Sequence, residues 1–336
     1  MSPQKTIAII GATGNQGSSV ATSFLSLPNW TVRAITRNPS SASAQRLASL
    51  GCELAQADLS DIPSLQRAFT GAAAIFVNTD FWARYISGAT RDGNAAFEQE
   101  ITHGKNAALA AAGIEGLERY VYSALPSLEK GSGGKYTKGL HLESKGRVVE
   151  FIETDSRLVE LRAKSSFIYL GAYATNPLFT PRFDAASGVY KFIVQVRGSA
   201  KMPIIDAAAS TGDFVRELVL TEAAGTKLLA YDRDSYLSLD QVVEIWERRT
   251  GEKAELETVS NEFIHRVFGL PLEALEAPLF IEEFGYMGGV EGFIEPGDLK
   301  NAVQTKSFEE WLGERDWKEL AVRGEEQREE IRGVEL

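Results

Sequence analysis

Short, almost wholly apolar runs alternate with amphipathic segments along the first half of the chain. The apolar runs cover residues 5–10, 31–35, 52–57, 72–77, 117–122 and 166–170. Segments with helical periodicity lie between them, at residues 16–26, 42–49, 62–69, 93–112 and 141–154. Runs too apolar to alternate predict strands buried on both faces, and their regular exchange with helices predicts a parallel sheet covered by helices.

The regular exchange weakens after residue 176, where prolines, aromatic residues and mixed strand and helix signals take over. We therefore expect a doubly wound α/β domain of the Rossmann type over residues 1–176. Residues 177–336 are expected to form a smaller, substrate-covering C-terminal region that is partly interleaved with the sheet. The aromatic residues of the second half could line an apolar pocket there, although aromatic side chains mostly belong to cores.

Composition narrows the choice of partners. The chain has 35 Lys and Arg residues against 46 Asp and Glu residues, a net charge of −11, and such a surface repels nucleic acid. No apolar run is long enough to span a membrane, and the first residues do not resemble a signal peptide. Cys52 is the only cysteine, so no internal disulfide can form, and we expect a cytoplasmic protein. The sequence does not decide the oligomeric state.

A glycine-rich segment follows the first predicted strand at once and opens the first predicted helix. We call residues 11–17 the glycine turn; its members are Gly11, Ala12, Thr13, Gly14, Asn15, Gln16 and Gly17. The first glycine permits a tight turn, the second lets the backbone approach a pyrophosphate, and the third lets the helix pack closely. Because the free N–H groups of a helix N-terminus attract phosphate, this context predicts a dinucleotide site.

The end of the second predicted strand indicates which dinucleotide is bound. NAD sites usually place an acidic residue here for the ribose 2′-hydroxyl, whereas this strand ends at Thr36-Arg37. The planar cation of Arg37 suits a 2′-phosphate, so we expect NADP(H) as the cofactor.

With these residues in place, the chain resembles the NmrA-like proteins, an atypical branch of the short-chain dehydrogenases/reductases. The resemblance rests on the glycine turn with Arg37, on Asp58-Leu59, on Asn78-Thr79-Asp80-Phe81, on residues 122–127, 141–146 and 171–176, and on residues 203–206 with Gly212-Asp213. It implies a doubly wound sheet with a cleft for NADP(H). It further implies that Asp58-Leu59 flank the adenine and that Asn78-Thr79 line the cofactor groove. On the same basis we assign Tyr169, Gly171, Tyr173 and Asn176 to the cofactor site.

The sequence indicates the catalytic residues less clearly than it indicates the cofactor site. Typical short-chain dehydrogenases use a serine and a Tyr-x-x-x-Lys pair, whereas this chain has His141-x-x-x-Lys145 at the matching place. The spacing puts His141 and Lys145 on one helix face, and Ser123 ends a central strand where such sheets bind ligands. We expect Lys145, His141 and Ser123 to be the catalytic residues, with Lys145 and Ser123 also touching the cofactor. A histidine could donate a proton, although the charge of Lys145 favours its neutral form, and Tyr136 is a weaker alternative donor.

A metal site is not expected, because the three histidines, His103, His141 and His265, are far apart in the sequence and have no ligand partners at metal-binding spacing. Two functions remain. The first is an NADPH-dependent reductase acting on a C=O, C=C or C=N bond of a small aromatic or polyketide-like metabolite. The second is a catalytically silent NADP(H) sensor acting through a protein partner, and the missing tyrosine favours it.

Overall fold

The computed structural model describes residues 4–87 and 92–332. Its strands are β1 (Lys5–Ile10), β2 (Trp30–Thr36), β3 (Glu53–Gln56), β4 (Ala74–Val77), β5 (Arg119–Ala124), β6 (Ser165–Leu170), β7 (Ala172–Tyr173), β8 (Arg182–Asp184), β9 (Val189–Val194), β10 (Lys201–Ile205), β11 (Lys227–Ala230), β12 (Tyr236–Ser238), β13 (Ala254–Thr258) and β14 (Phe293–Ile294). Its helices are α1 (Asn15–Leu25), α2 (Ala42–Ser49), α3 (Ile62–Phe69), α4 (Phe81–Ser87), α5 (Gly93–Ala112), α6 (Leu128–Gly131), α7 (Leu140–Thr154), α8 (Val159–Arg162), α9 (Ala207–Leu220), α10 (Leu239–Thr250), α11 (Asn261–Phe268), α12 (Leu272–Phe284), α13 (Phe308–Gly313) and α14 (Trp317–Arg332).

The main sheet has eight strands in the order β14-β11-β6-β5-β4-β1-β2-β3, and every neighbouring pair is parallel. The predicted doubly wound parallel sheet is thereby confirmed. Strand order reverses between β1 and β4, and ligands of such sheets bind at that reversal, outside the carboxyl ends of the strands.

Each face of the sheet has its own apolar core because successive strand residues point to opposite sides. On β5, Tyr120 and Tyr122 join the cluster under α3, α5 and α7, whereas Val121 joins the cluster under α1 and α9. All three side chains are fully buried, which explains why the strand is apolar without alternation.

The chain after residue 176 contributes to the main sheet and also to two small sheets, one of which includes β7 from before residue 176. Strands β11 and β14 extend the main sheet beyond β6, and α9 packs on α1. The small sheets have the orders β12-β10-β7 and β13-β9-β8. Within the described residues, no helix is both long and apolar enough to cross a membrane.

Candidate functional site

Two of the three glycines of the glycine turn, Gly11 and Gly17, are required by the packing of the chain itself. Gly11 has φ +75°, and a Cβ there would lie 3.0 Å from the main-chain oxygen of Asn78. A Cβ on Gly17 would lie 2.2 Å from the oxygen of Gly11, so any larger residue would push α1 off the turn. A Cβ on Gly14 would meet only that same oxygen, at 3.5 Å, and would otherwise enter open space. Gly14 is thus the glycine that leaves room for a ligand.

The first turn of α1 is suited to a phosphate. The N-cap residue of α1 is Gly14, which has no side chain to cap the helix, and no acidic residue lies in the first turn. Thr13, Gly14 and Asn15 are exposed, so the positive end of the helix is open to a ligand. Gln16 is buried and donates from Nε2 to the hydroxyl of Tyr173 at 2.7 Å, while its Oε1 lacks a hydrogen-bond partner among the described residues. The residues present therefore fit the diphosphate of a dinucleotide.

The ends of β2 and β3 bring Arg37 near Asp58. Arg37 is exposed, and its positive charge helps to lower the pKa of Asp58, chiefly set by the hydrogen bond from the main-chain N–H of Ser60. Helix α5 contacts the segment that contains Asp58 and Leu59, because Asn106 donates to the main-chain oxygen of Leu59 at 2.8 Å. His103, also on α5, lies 3.1 Å from the Ser60 hydroxyl. Sequence reasoning did not assign either α5 residue a part in positioning Asp58 and Leu59.

Lys145, on α7, points its ammonium into the groove between β4 and β5. Nζ lies 3.2 Å from Asn78 Oδ1, 2.9 and 3.1 Å from the main-chain oxygen and the hydroxyl of Thr79, 3.4 Å from the main-chain oxygen of Ser123 and 3.2 Å from Glu100 Oε1. The structure thus brings four of the predicted residues together, and adds a buried glutamate that the sequence did not single out. Ser123 takes part through its main chain, since its hydroxyl is not among these contacts.

His141 lies one turn before Lys145, as the i, i+4 spacing predicts, and is partly buried. Its Nδ1 is buried without a hydrogen-bond partner among the described residues. Burial and then the positive charge of Lys145 lower the pKa of His141 to about 4. The ring is therefore neutral near neutral pH, and a proton donor of the imidazolium type is disfavoured at this place.

An aromatic cluster surrounds His141. The rings of Phe81 and Trp82, on α4, lie with centroids 6.2 and 5.3 Å from the His141 ring, and Tyr85 stacks on Phe81. We call Phe81, Trp82 and His141 the aromatic wall. The aromatic residues of the second half are the pocket candidates that the sequence predicts, but Phe179, Phe192, Phe280 and Tyr286 among them are buried in the core, as aromatic side chains mostly are.

Three further residues assigned to the cofactor site, Tyr169, Gly171 and Asn176, have contacts within the chain that the structure describes. Tyr169 is buried on the α7 face of β6 and lines a cavity of about 520 Å³ with Val149 and Lys227, and the residues of the glycine turn do not line this cavity. Gly171 is required because a Cβ would lie 2.6 Å from the oxygen of Pro203. Asn176 caps a 3-10 helix by accepting from the N–H of Leu178 at 2.9 Å.

Tyr136, the alternative donor, contacts α12. Its hydroxyl donates to Glu283 at 3.0 Å and its ring packs on Phe280 and Phe284 of α12. Burial and then Glu283 raise the pKa of Tyr136, which makes its hydroxyl a weaker acid.

A cavity of about 390 Å³ adjoins the glycine turn. Asn15 and Tyr173 form one side of it, and Asp206, Arg315 and Arg323 form part of the other. The C-terminal segment of the chain therefore faces the first turn of α1 across this cavity. Over residues 4–87 and 92–332, no cluster of three or more potential ligands could hold a metal ion.

Known proteins are similar to this chain in sequence and in fold. The family model described as NmrA-like family matches residues 3–312. The chain is 29% identical over 314 residues to the NmrA-like family domain-containing oxidoreductase hkm9 of Aspergillus hancockii, covering 89% of this chain and 88% of that protein.

Two solved structures show the same fold at low identity. NmrA, a negative transcriptional regulator solved in complex with NADP, superposes with a TM-score of 0.65 at 22% identity, over 99% of this chain and 98% of that one. Leucoanthocyanidin reductase of Vitis vinifera, solved with NADPH, gives a TM-score of 0.69 at 16% identity, over 94% and 99%. Because the family model matches nearly the whole length of this chain, the chain belongs to the NmrA-like family.

Proposed function

We propose that the chain is an NADP(H)-dependent reductase of a small aromatic or polyketide-like metabolite, acting on a C=O, C=C or C=N bond. The position of Lys145 carries the proposal. Its ammonium contacts Asn78 Oδ1 at 3.2 Å, and the main-chain oxygen of the same asparagine lies against Gly11. One residue thus joins the glycine turn to a buried cation, at the edge where doubly wound sheets hold ligands.

NADP(H) is the cofactor that these residues suit best. Gly14 and the uncapped first turn of α1 would receive the diphosphate, and Arg37 would pair with the 2′-phosphate. Relatives support a nicotinamide dinucleotide in general, because hkm9 is named an oxidoreductase and solved neighbours were obtained with NAD, NADP or NADPH.

When bound, NADPH supplies the hydride. Hydride addition leaves negative charge on the acceptor, which a nearby cation can stabilise and a proton must finally neutralise. Lys145 has five oxygens around three N–H groups, so it can exchange its longer contacts, to Ser123 and Asn78, for a ribose hydroxyl or the developing anion. His141, kept neutral, would order the water that delivers the proton.

The aromatic wall supports an aromatic substrate. Trp82 and His141 are only partly buried, with Phe81 buried beside them, so the rings of Trp82 and His141 can border the place where Lys145 acts. Aromatic rings bind one another in offset or edge-to-face geometry. A substrate with a planar ring next to its reducible bond suits this border.

The second candidate is a catalytically silent NADP(H) sensor that acts through a protein partner. The favouring observation is chemical: the residue four before Lys145 is a histidine whose lowered pKa leaves it neutral near neutral pH, so the position lacks a protonated imidazolium to act as the acid. The similarity to NmrA, described as a negative transcriptional regulator, supports the same alternative.

The purified protein, mixed with NADPH and panels of aromatic and aliphatic carbonyls, enones and imines, separates the two functions. We expect loss of NADPH absorbance with at least one aromatic member. Lys145→Ala should weaken both NADPH binding and turnover, and His141→Ala should lower turnover by about 10²-fold or more with NADPH affinity unchanged. Exposed Lys138→Ala is the matched control and should change neither. No turnover on any panel, with a protein captured in one redox state of the cofactor only, would favour the sensor.

A further inference from the structure

Helices α5 and α7 approach each other closely enough to bury charged side chains between them. A Cβ on Gly104 of α5 would lie 2.5 Å from a methyl group of Val148 on α7, so only glycine allows this approach. One turn earlier on each helix stand Glu100 and Ser144, and both are buried. The Ser144 hydroxyl donates to Glu100 Oε2. The carboxylate therefore lies in the core beside the site and not at the surface.

Glu100 is surrounded by donors. Oε1 accepts from the Thr79 hydroxyl at 2.8 Å and lies 3.2 Å from Lys145 Nζ, while Oε2 accepts from Ser144. Because both oxygens accept, the geometry suits the ionised carboxylate. A buried anion needs a cation, and Lys145 is the one that contacts it among the described residues.

Thr79 completes the arrangement. Its single proton goes to Glu100, so its lone pairs face Lys145 Nζ at 3.1 Å and the hydroxyl of Tyr122 at 3.2 Å. Glu100 thus fixes the Thr79 hydroxyl, which in turn fixes the direction of the ammonium. Two separate routes, one ionic and one through Thr79, lead from Glu100 to Lys145.

The other titratable groups around Lys145 are neutral. Tyr122, on β5, has its pKa raised well above the ordinary value by burial and then by Glu100. His141, on α7, is neutral near neutral pH, and His103, one turn from Glu100 on α5, has its pKa lowered, chiefly by burial. Glu143, on α7, faces Arg147 and Ser127 instead.

We propose that Glu100 is the positioning residue of this site, which holds the ammonium of Lys145 aimed at the groove lined by Asn78 and Thr79. The proposal rests on the proposed function only in placing Lys145 against the cofactor. Glu100 itself touches neither cofactor nor substrate and acts through Lys145. An ammonium buried without this carboxylate would lose its proton at lower pH.

Glu100→Gln tests the proposal, because the amide keeps the shape and loses the charge. Ser144→Ala is the matched control, since it removes a neutral hydrogen bond from the same carboxylate. The measurement is the dissociation constant of NADP⁺ by calorimetry between about pH 7.5 and about pH 9.5, a range above the pKa of about 6 of the 2′-phosphate and below the ordinary lysine pKa of about 10.4. In the original protein and in Ser144→Ala, affinity should stay level across the range. In Glu100→Gln it should fall within the range, with a midpoint at least about one pH unit lower.

A level affinity in folded Glu100→Gln, or an equal shift in Ser144→Ala, would overturn the proposal. If Glu100→Gln unfolds, the double variant Glu100→Gln with Lys145→Met decides, because removing the unpaired cation should restore the melting temperature lost in the single variant. No restoration would mean that Glu100 serves the core independently of Lys145. Failure of the original protein to bind NADP⁺ would reject the cofactor assignment, and the melting temperatures would still test the pair.

Discussion

Arg37 and Lys145 are both cations, but Lys145 is buried and Arg37 is exposed. Lys145 is buried among five oxygens of its own chain, so its place is fixed before any ligand arrives. Arg37 is exposed at the end of β2, and its side chain makes no hydrogen bond within the described residues. A preformed cation can orient a ligand, whereas an exposed one adds affinity for a particular anion.

Arg37 should therefore set the preference for NADPH over NADH. Arg37→Ala should weaken NADPH binding by about 2 kcal/mol, or about 30-fold, because a charge-assisted pair with the 2′-phosphate is lost. NADH binding should hardly change. Calorimetric titration of both dinucleotides checks this, with exposed Arg46→Ala on α2 as the matched control. Equal affinity of the unchanged protein for NADPH and NADH would contradict the assignment.

His141 should make the folded protein sensitive to acid. Its folded pKa is about 4, because of burial and then Lys145, whereas the unfolded residue titrates near its ordinary value of 6.5. Between these values the unfolded chain holds more protons at this residue, so stability falls as pH falls, by about 2 kcal/mol at about pH 5. His141→Gln should remove that loss, and urea unfolding at about pH 7 and about pH 5 measures it. An equal acid loss in both proteins would show that the ring is not held neutral.

Substitutions at two glycines of the glycine turn should have different effects, one on dinucleotide binding and the other on the stability of the fold. Gly14→Val should abolish dinucleotide binding while the protein still unfolds cooperatively, because its side chain enters open space and the backbone there is extended. Gly17→Ala should instead lower stability by about 1–3 kcal/mol or more, since its Cβ would overlap the oxygen of Gly11. Calorimetry with NADPH and thermal unfolding measure the two effects. Full binding by Gly14→Val would place the cofactor elsewhere.

Periodicity located the helices better than it located their chemistry. Helix α5 was predicted with the bounds that the structure shows, Gly93–Ala112, because its apolar spacing is regular. The same regularity concealed Glu100, which occupies a buried position between Ala96 and Gly104 in a stripe of small residues. A carboxylate in such a stripe is the signal that could have revealed a buried ion pair. Its partner lies 45 positions away, between residues 100 and 145, and single-sequence spacing does not relate such distant positions.

Short elements and late strands were missed for related reasons. Helix α4 has only seven residues, too few for periodicity to show, so the aromatic wall was not foreseen. The glycine turn was foreseen because its residues are adjacent in sequence and each has a local geometric duty. Strands β11 and β14 have four and two residues, and only their pairing with β6 and with each other defines them.

The division of the chain into two regions at residue 176 stays a prediction. The contacts of the sheet allow a test of whether residues 1–176 can fold without the rest of the chain. Helix α9 packs so closely on α1 that a Cβ on Gly212 would lie 2.2 Å from the main-chain oxygen of Ser19. The Ser19 hydroxyl donates to the oxygen of Ala209 at 3.2 Å and accepts from the N–H of Gly212 at 2.8 Å. Strand β11 pairs with β6 over four residues. The second half thus covers one face and one edge of the sheet that the first half forms.

A chain ended after residue 176 should therefore fail to fold cooperatively. It would lose the buried side chains of Phe214, Val215 and Leu218, worth about 5–9 kcal/mol at about 1.5–3 kcal/mol each. That loss is comparable to the whole stability of a typical domain, about 5–15 kcal/mol, and it leaves β6 as an unpaired edge. Thermal unfolding followed by circular dichroism, with limited proteolysis of the same sample, is the measurement, and the full chain is the control. A sharp transition and protease resistance in the shortened chain would show that residues 1–176 fold independently, and that the later strands only extend a sheet already stable without them.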